Sequence, residues 1–154
     1  MEKNIIISNN ALNSMVNDIK SILNKARENA YASINQNILY SNWQIGRRIV
    51  EEEQNGKERA DYGTQLLKAL SQQLVSDIGK EYNVRNLWYY KQFYLSFPDW
   101  QIVNARVHNL KWTHIRSILR VNDSEARLWY LKEASEQMWS TRTLDRNVAS
   151  QYYY

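Results

Sequence analysis

Few residues in this 154-residue chain are of the types that make or break bonds, and their spacing assembles none of the common centres. The two histidines, His108 and His114, have no serine-and-acid pattern around them that would build a triad, and no HExxH pair that would hold zinc. His114 falls in the first turn of a predicted helix, where packing or hydrogen bonding suits it better than general-base work. There is no glycine-rich phosphate loop, and no cysteine, which removes thiolate nucleophiles, thiolate metal sites and disulfides together. Glu51, Glu52 and Glu53 are the densest carboxylates, but consecutive helical positions point about 100° apart, so the three cannot converge on one ion. Pro98-Asp99 has the form of the first half of a PD-(D/E)XK nuclease motif. Asp123, Glu125, Glu133, Glu136 and Asp145 all lack the lysine two positions on that would complete it, the nearest imitation being Glu125-Ala126-Arg127. The expectation is a chain that is not an enzyme by itself and takes no cofactor or metal.

Binding chemistry is better represented. Over residues 84–97, at about 100° per residue, Leu87, Tyr90, Tyr94 and Phe97 gather on one side of a helix and Arg85, Trp88, Tyr89, Gln92 and Ser96 on the other. The first set is assigned to the core. A helix used only for packing would more often carry Glu and Lys outside; arginine and glutamine can instead read guanine and adenine edges, and aromatic rings can lie on sugars and bases. Between Lys80 and Arg120 there are seven basic residues and two acidic ones, a local surplus of five where the whole chain has four. Positive charge is thus concentrated on this helix and the segment after it, as a phosphate-contacting surface needs. Arg85, Trp88, Tyr89 and Gln92 are the candidates for base contact, and Lys80, Lys91, Arg116 and Arg120 for phosphates, with double-stranded DNA as the partner. The competing reading, in which the same face packs on another helix or on a partner subunit, stays open.

The elements that would position these residues are helical. Four glycines and one proline leave little turn chemistry, which points to an all-α chain. Leu67, Leu70, Leu74 and Ile78 mark one helix face; Gly79 is expected to end that helix in a left-handed conformation, Asn83 to cap the next, and Pro98 to close it. Residues 66–97 therefore have the outline of a helix-turn-helix. Upstream, Leu12, Met15, Val16, Ile19, Ile22, Leu23 and Ala26 form an amphipathic stripe, and Leu39, Trp43, Gly46 and Val50 a second one, with Gly46 admitting a close helix neighbour. One uninterrupted helix of about 45 residues would be about 65–70 Å long. Either it bends near Asn29 into a hairpin, or its first half reaches toward a partner, for which self-association as a homodimer or higher oligomer is the favoured role. Downstream, residues 101–109 read as a short strand or a helical turn, so the domain is all-α with room for a small β-hairpin wing. Thr113, Asp123 and Ser140 are expected to cap three more helices. Leu128, Leu131, Ala134 and Met138 are assigned to the core from the second of these, Leu144 and Val148 from the third. The domain plan is a lead-in over residues 1–10 and one domain over 11–154. The chain has no leader pattern or long apolar run, so a soluble, cytoplasmic protein is expected.

Tyr40, Trp43-Gln44-Ile45-Gly46, Tyr62-Gly63, Leu70-Ser71, Arg85-Asn86-Leu87, Gln92-Phe93-Tyr94, Trp112-Thr113-His114, Tyr130 and Trp139-Ser140 with Arg142 and Leu144 occur in an order that resembles the N-terminal domain of the YhcG-like family of bacterial PD-(D/E)XK nuclease proteins. The resemblance covers roughly residues 19–154. It implies a helical, winged-helix-like DNA-binding domain that precedes a nuclease domain, with links to restriction and DNA maintenance. The family's catalytic residues belong to that second domain, absent from this chain, and none transfer here. Trp88-Tyr89-Tyr90-Lys91 stands where the family is expected to be more basic, and the chain ends at Tyr152-Tyr153-Tyr154 where similar proteins run on.

Overall fold

The computed structural model describes residues 8–55, 62–106 and 109–154, which form seven α-helices and no strand. The first, α1 (Asn9–Asn55), runs unbroken for 47 residues, about 70 Å. Ser8 starts it by accepting a hydrogen bond from the Ala11 amide at 3.1 Å, and Asn55 is its last described residue. The hairpin bend near Asn29 is not adopted. Of the expected lead-in, residues 1–7 lie outside the described residues, and Asn9 and Asn10 are already helical.

From Leu39 onward α1 is part of the core. Leu39, Trp43, Gly46, Ile49 and Val50 are buried, chiefly against α3 (Val84–Ser96). The two helices touch at Gly46, where an added Cβ would lie 1.9 Å from the Tyr90 carbonyl oxygen. One turn earlier, the Trp43 indole N–H donates to the Phe97 carbonyl at 2.8 Å. That carbonyl sits before Pro98, which has no N–H and cannot continue the helix, so the indole supplies the missing donor.

Helix α3 divides two apolar clusters. Leu87 and Tyr90 pack with Ile49 of α1 and Leu67 of α2 (Tyr62–Asp77). Phe93 and Phe97 pack with Leu39 and Trp43, with Val103 of the short α4 (Trp100–Asn104), and with side chains of α5 (Trp112–Ile118), α6 (Ser124–Glu136) and α7 (Thr141–Ala149). Fully burying a side chain such as Leu87 or Phe93 contributes about 1.5–3 kcal/mol, which makes α3 the helix on which both halves depend.

Several local expectations change. Gly79 is extended (φ 164°, ψ 173°), not left-handed; α2 has already ended at Asp77, and a 3-10 turn over Lys80–Tyr82 leads into α3. Ile78 is exposed, because the chain has left the helix that would have turned it inward. Asn83 does cap α3, accepting from the Asn86 amide. Residues 100–104 are helical, so the described part of the 101–109 stretch makes no hairpin wing; Val107 and His108 lie outside the described residues. Helix α5 starts one residue before Thr113, with Lys111 as its cap. Asp123 and Ser140 cap α6 and α7 as expected. The face of α6 that faces inward is Ala126, Tyr130, Leu131 and Ala134, whereas Leu128 and Met138 are exposed. Met138 has a left-handed backbone (φ 53°), past the end of the helix, which turns it away from the core.

Candidate functional site

Pairs of residues four apart on three helices build one cleft. Such pairs are neighbours on a helix surface, so α3 and α7 each contribute one two-residue patch and α5 contributes two. Arg85 and Tyr89 come from α3; Thr113 and Ser117, and Arg116 with Arg120 just past the helix end, come from α5; Thr141 and Asp145 come from α7. Together they line an open space of about 270 Å³.

Tyr89 and the guanidinium groups form its basic wall. Arg116 lies over the Tyr89 ring, 4.6 Å from the centroid, and Arg85 approaches the same ring at 5.8 Å. Both are near enough to the phenol to favour its ionised form, first Arg85 and then Arg116, and hold its pKa below the ordinary value of 10.0. The Arg116 Nε–H is buried and finds no acceptor among the described residues. Asp145 is the one carboxylate of the lining, taking a hydrogen bond from Arg120 at 2.6 Å and another from the Ser117 hydroxyl. The Thr113 and Thr141 hydroxyls are 2.8 Å apart and complete a polar rim. Three arginines against one aspartate leave the cleft with a surplus of two positive charges.

Trp88 stands at the edge of this site. Its ring is edge-on to Tyr89 with centroids 5.2 Å apart, and 45% of its surface is exposed. An exposed indole beside a basic cleft can stack on a flat ring, while the cleft holds an anion.

Of the eight residues selected in the sequence, the fold brings Arg85, Tyr89, Arg116 and Arg120 together, with Trp88 at their edge. Gln92 is half-buried one turn along α3, and Lys80 is exposed in the 3-10 turn; neither lines the cleft. Lys91 is directed elsewhere: its ammonium pairs with Glu53 of α1 at 2.8 Å, with side chains only 22% and 16% exposed. Glu51 and Glu52 likewise pair with Arg47 and Arg48, so the three consecutive carboxylates serve three separate cations. Sequence reasoning missed Thr113, Ser117, Thr141 and Asp145 as cleft residues, having weighed Asp145 only as a nuclease-motif carboxylate. Their four-residue spacing was visible, but nothing local shows that α5 and α7 converge on α3.

His114 is a structural residue. It is buried, its Nδ1 accepts from the Lys111 amide at 3.0 Å, and its Nε2 faces the Trp139 carbonyl at 2.7 Å. The first contact requires a bare Nδ1, so the proton is on Nε2 and the ring is neutral. Burial pushes its pKa below 6.5, more than the Trp139 carbonyl raises it.

The fold and cleft thus define an all-helical domain with one long helix and an arginine-lined, aromatic-edged recess. The chain belongs to the DUF1016 N-terminal domain family, which matches residues 18–154. It is 32% identical over 162 aligned residues to the protein named "Putative nuclease YhcG" of Escherichia coli (strain K12). That match covers 86% of this chain and 43% of the relative, so the chain spans less than half of the relative's length. No solved structure matches it significantly. No helix among the described residues is long and apolar enough to cross a membrane.

Proposed function

We propose that this domain binds double-stranded DNA without catalysing a reaction, and that it targets or assembles a nuclease domain of the PD-(D/E)XK type. The observation that carries the reading is the convergence of Arg85, Arg116 and Arg120 on one cleft, beside the exposed Trp88. Guanidinium groups are the side chains best matched to phosphate oxygens, because their N–H groups form a planar fork. The helix α3 follows a short turn and carries Arg85 and Trp88 outward from a fixed core, as the second helix of a DNA-reading pair does. The nuclease half of the reading comes from the name of the Escherichia coli relative, whose remaining length this chain does not span.

The test is fluorescence anisotropy of a labelled mixed-sequence duplex at low and at near-physiological salt, with Arg85→Gln/Arg120→Gln beside the parent. Binding that falls steeply with salt and is lost in the folded variant supports the reading, since each neutralised phosphate releases counterions. No binding at either salt sinks it.

A second reading, compatible with the first, rests on α1. Leu12, Met15, Val16, Ile19, Ile22 and Leu23 are exposed on a helix whose residues 9–31 are exposed throughout. Leu12, Met15, Ile19, Ile22 and Ala26 alternate steps of three and four residues, the seam of a two-helix coiled coil. The surface that matches such a seam is another helix with the same repeat, and a second copy of this chain supplies one. The domain then acts as a self-associating scaffold.

A further inference from the structure

We infer that the cleft between α3, α5 and α7 recognises a phosphorylated DNA end, holding a terminal phosphomonoester among Arg85, Arg116 and Arg120 while Trp88 stacks on the terminal base. This deepens the DNA-binding reading and rests on it.

The shape of the site is the first argument. A surface that tracks a duplex spreads its cations along the backbone, where each strand carries one charge per about 3.4 Å of axis. Here three guanidinium groups share one recess of about 270 Å³, so they address one anion instead of a row.

Charge is the second. Three arginines less Asp145 leave two positive charges, which match the nearly two negative charges of a phosphomonoester near neutral pH better than the single charge of an internal phosphodiester. Asp145 already holds Arg120, so an incoming group gains from that arginine only if it carries enough charge to compete.

Donor count is the third. A monoester offers three terminal oxygens and an internal diester two. Arg85 and Arg116 offer forked N–H donors, and the paired Thr113 and Thr141 hydroxyls keep one O–H free on the rim, a donor set that three oxygens use more fully than two. The fourth argument is the exposed Trp88 ring next to the cleft. Inside a duplex each base is covered on both faces by its neighbours. At an end one face is bare, and an indole can cover it.

The experiment compares four short labelled duplexes of one sequence: ends with a 5′-phosphate, ends with a 3′-phosphate, ends with hydroxyls only, and a dumbbell closed by loops at both ends. Anisotropy titrations at fixed salt use the parent domain, Arg85→Gln and Trp88→Ala, with far-UV circular dichroism to confirm that both variants fold. The expected result is binding at least about tenfold tighter to one phosphorylated end than to hydroxyl ends or the dumbbell, the worth of one charge-assisted contact. Which phosphate gives the gain assigns the terminus. Arg85→Gln should abolish the preference, and Trp88→Ala should weaken binding to every open end while leaving the dumbbell unchanged. Equal binding to all four duplexes, or a phosphate preference that survives Arg85→Gln, overturns the inference and leaves DNA binding standing. Binding to none of them overturns the DNA-binding reading itself.

Discussion

The Arg116 guanidinium covers the Tyr89 ring at 4.6 Å from its centroid, which ties a residue of α5 to a residue of α3 across the mouth of the cleft. Positive charge beside a phenol stabilises the phenolate, so Tyr89 should titrate below 10.0, and removing a guanidinium should move it back up. Arg85 is the larger contributor and is exposed, which makes Arg85→Gln the cleaner change. Tyrosine ¹³C resonances followed from pH 7 to 11, with Tyr89→Phe for assignment, give the comparison. Identical Tyr89 titrations in the parent and in Arg85→Gln would refute the arrangement.

Gly46 tests the helix contact on which the cleft is mounted. A methyl group there would lie 1.9 Å from the Tyr90 carbonyl oxygen, and a backbone atom cannot swing aside as a side-chain tip can. Alanine favours helices over glycine by about 0.8–1 kcal/mol, so a free position would gain stability. The clash wins here, because forcing apart two packed helices costs typically about 1–3 kcal/mol, sometimes more. Gly46→Ala should therefore lower the urea midpoint; an unchanged or raised midpoint would mean that α1 and α3 do not meet at this residue.

How much of the fold and cleft was legible beforehand depends on the range of the forces involved. The local signals held: Asn83, Asp123 and Ser140 act as caps, and Leu39, Trp43, Gly46 and Val50 face inward at helical spacing. Assignments one turn from a helix end failed, as at Ile78 and Met138, because periodicity continues in the sequence after the helix has stopped. Phe93 was not assigned to the core, yet it is fully buried, because α3 is covered on two sides by α1 and by the α5–α7 group and its inner face is wider than one stripe. Lys91 read as a phosphate contact by residue type alone; its half-buried partner Glu53 is 38 residues away, beyond any local pattern. The arginine cleft was half-visible, since residue types gave Arg85, Arg116 and Arg120 and only the packing of α7 adds Thr141 and Asp145.

That Lys91–Glu53 pair separates fold from function. An exposed ion pair contributes about 0–1 kcal/mol, and breaking a buried one costs about 3–5 kcal/mol. With side chains about one-fifth exposed, Lys91→Met should fall between these and lower the melting temperature. DNA affinity measured well below that temperature should hardly move. A loss of affinity as large as that of Arg85→Gln would instead return Lys91 to the binding surface.

His114 makes stability depend on pH in a known direction. The folded protein holds the ring neutral between the Lys111 amide and the Trp139 carbonyl, with a pKa below 6.5. Below pH 6.5 the unfolded chain takes up a proton that the folded chain still refuses, so stability is full above that pH and falls as pH drops toward the folded pKa. Each pH unit in that window removes up to about 1.4 kcal/mol. Urea unfolding from pH 7.5 to 5 should show this slope in the parent and lose it in His114→Gln. Equal slopes would place a proton on the ring in the folded state.

The first half of α1 allows a test in which stability and association part company. Ile19 and Ile22 are more than half exposed, so polar replacements at such positions normally change monomer stability by no more than about 0.5 kcal/mol. If a second copy covers the stripe, the same replacements put four polar groups, two from each helix, into the centre of the helix pair. Ile19→Gln/Ile22→Gln should then weaken self-association by at least about tenfold at nearly unchanged melting temperature of the isolated domain. Light scattering coupled to size exclusion across a concentration series reads this directly. A parent domain that stays at its 18.4 kDa monomer mass at high micromolar concentration would rule out a second copy as the occupant of this face. An associated parent whose mass is untouched by the two replacements would move the interface to another surface of the domain.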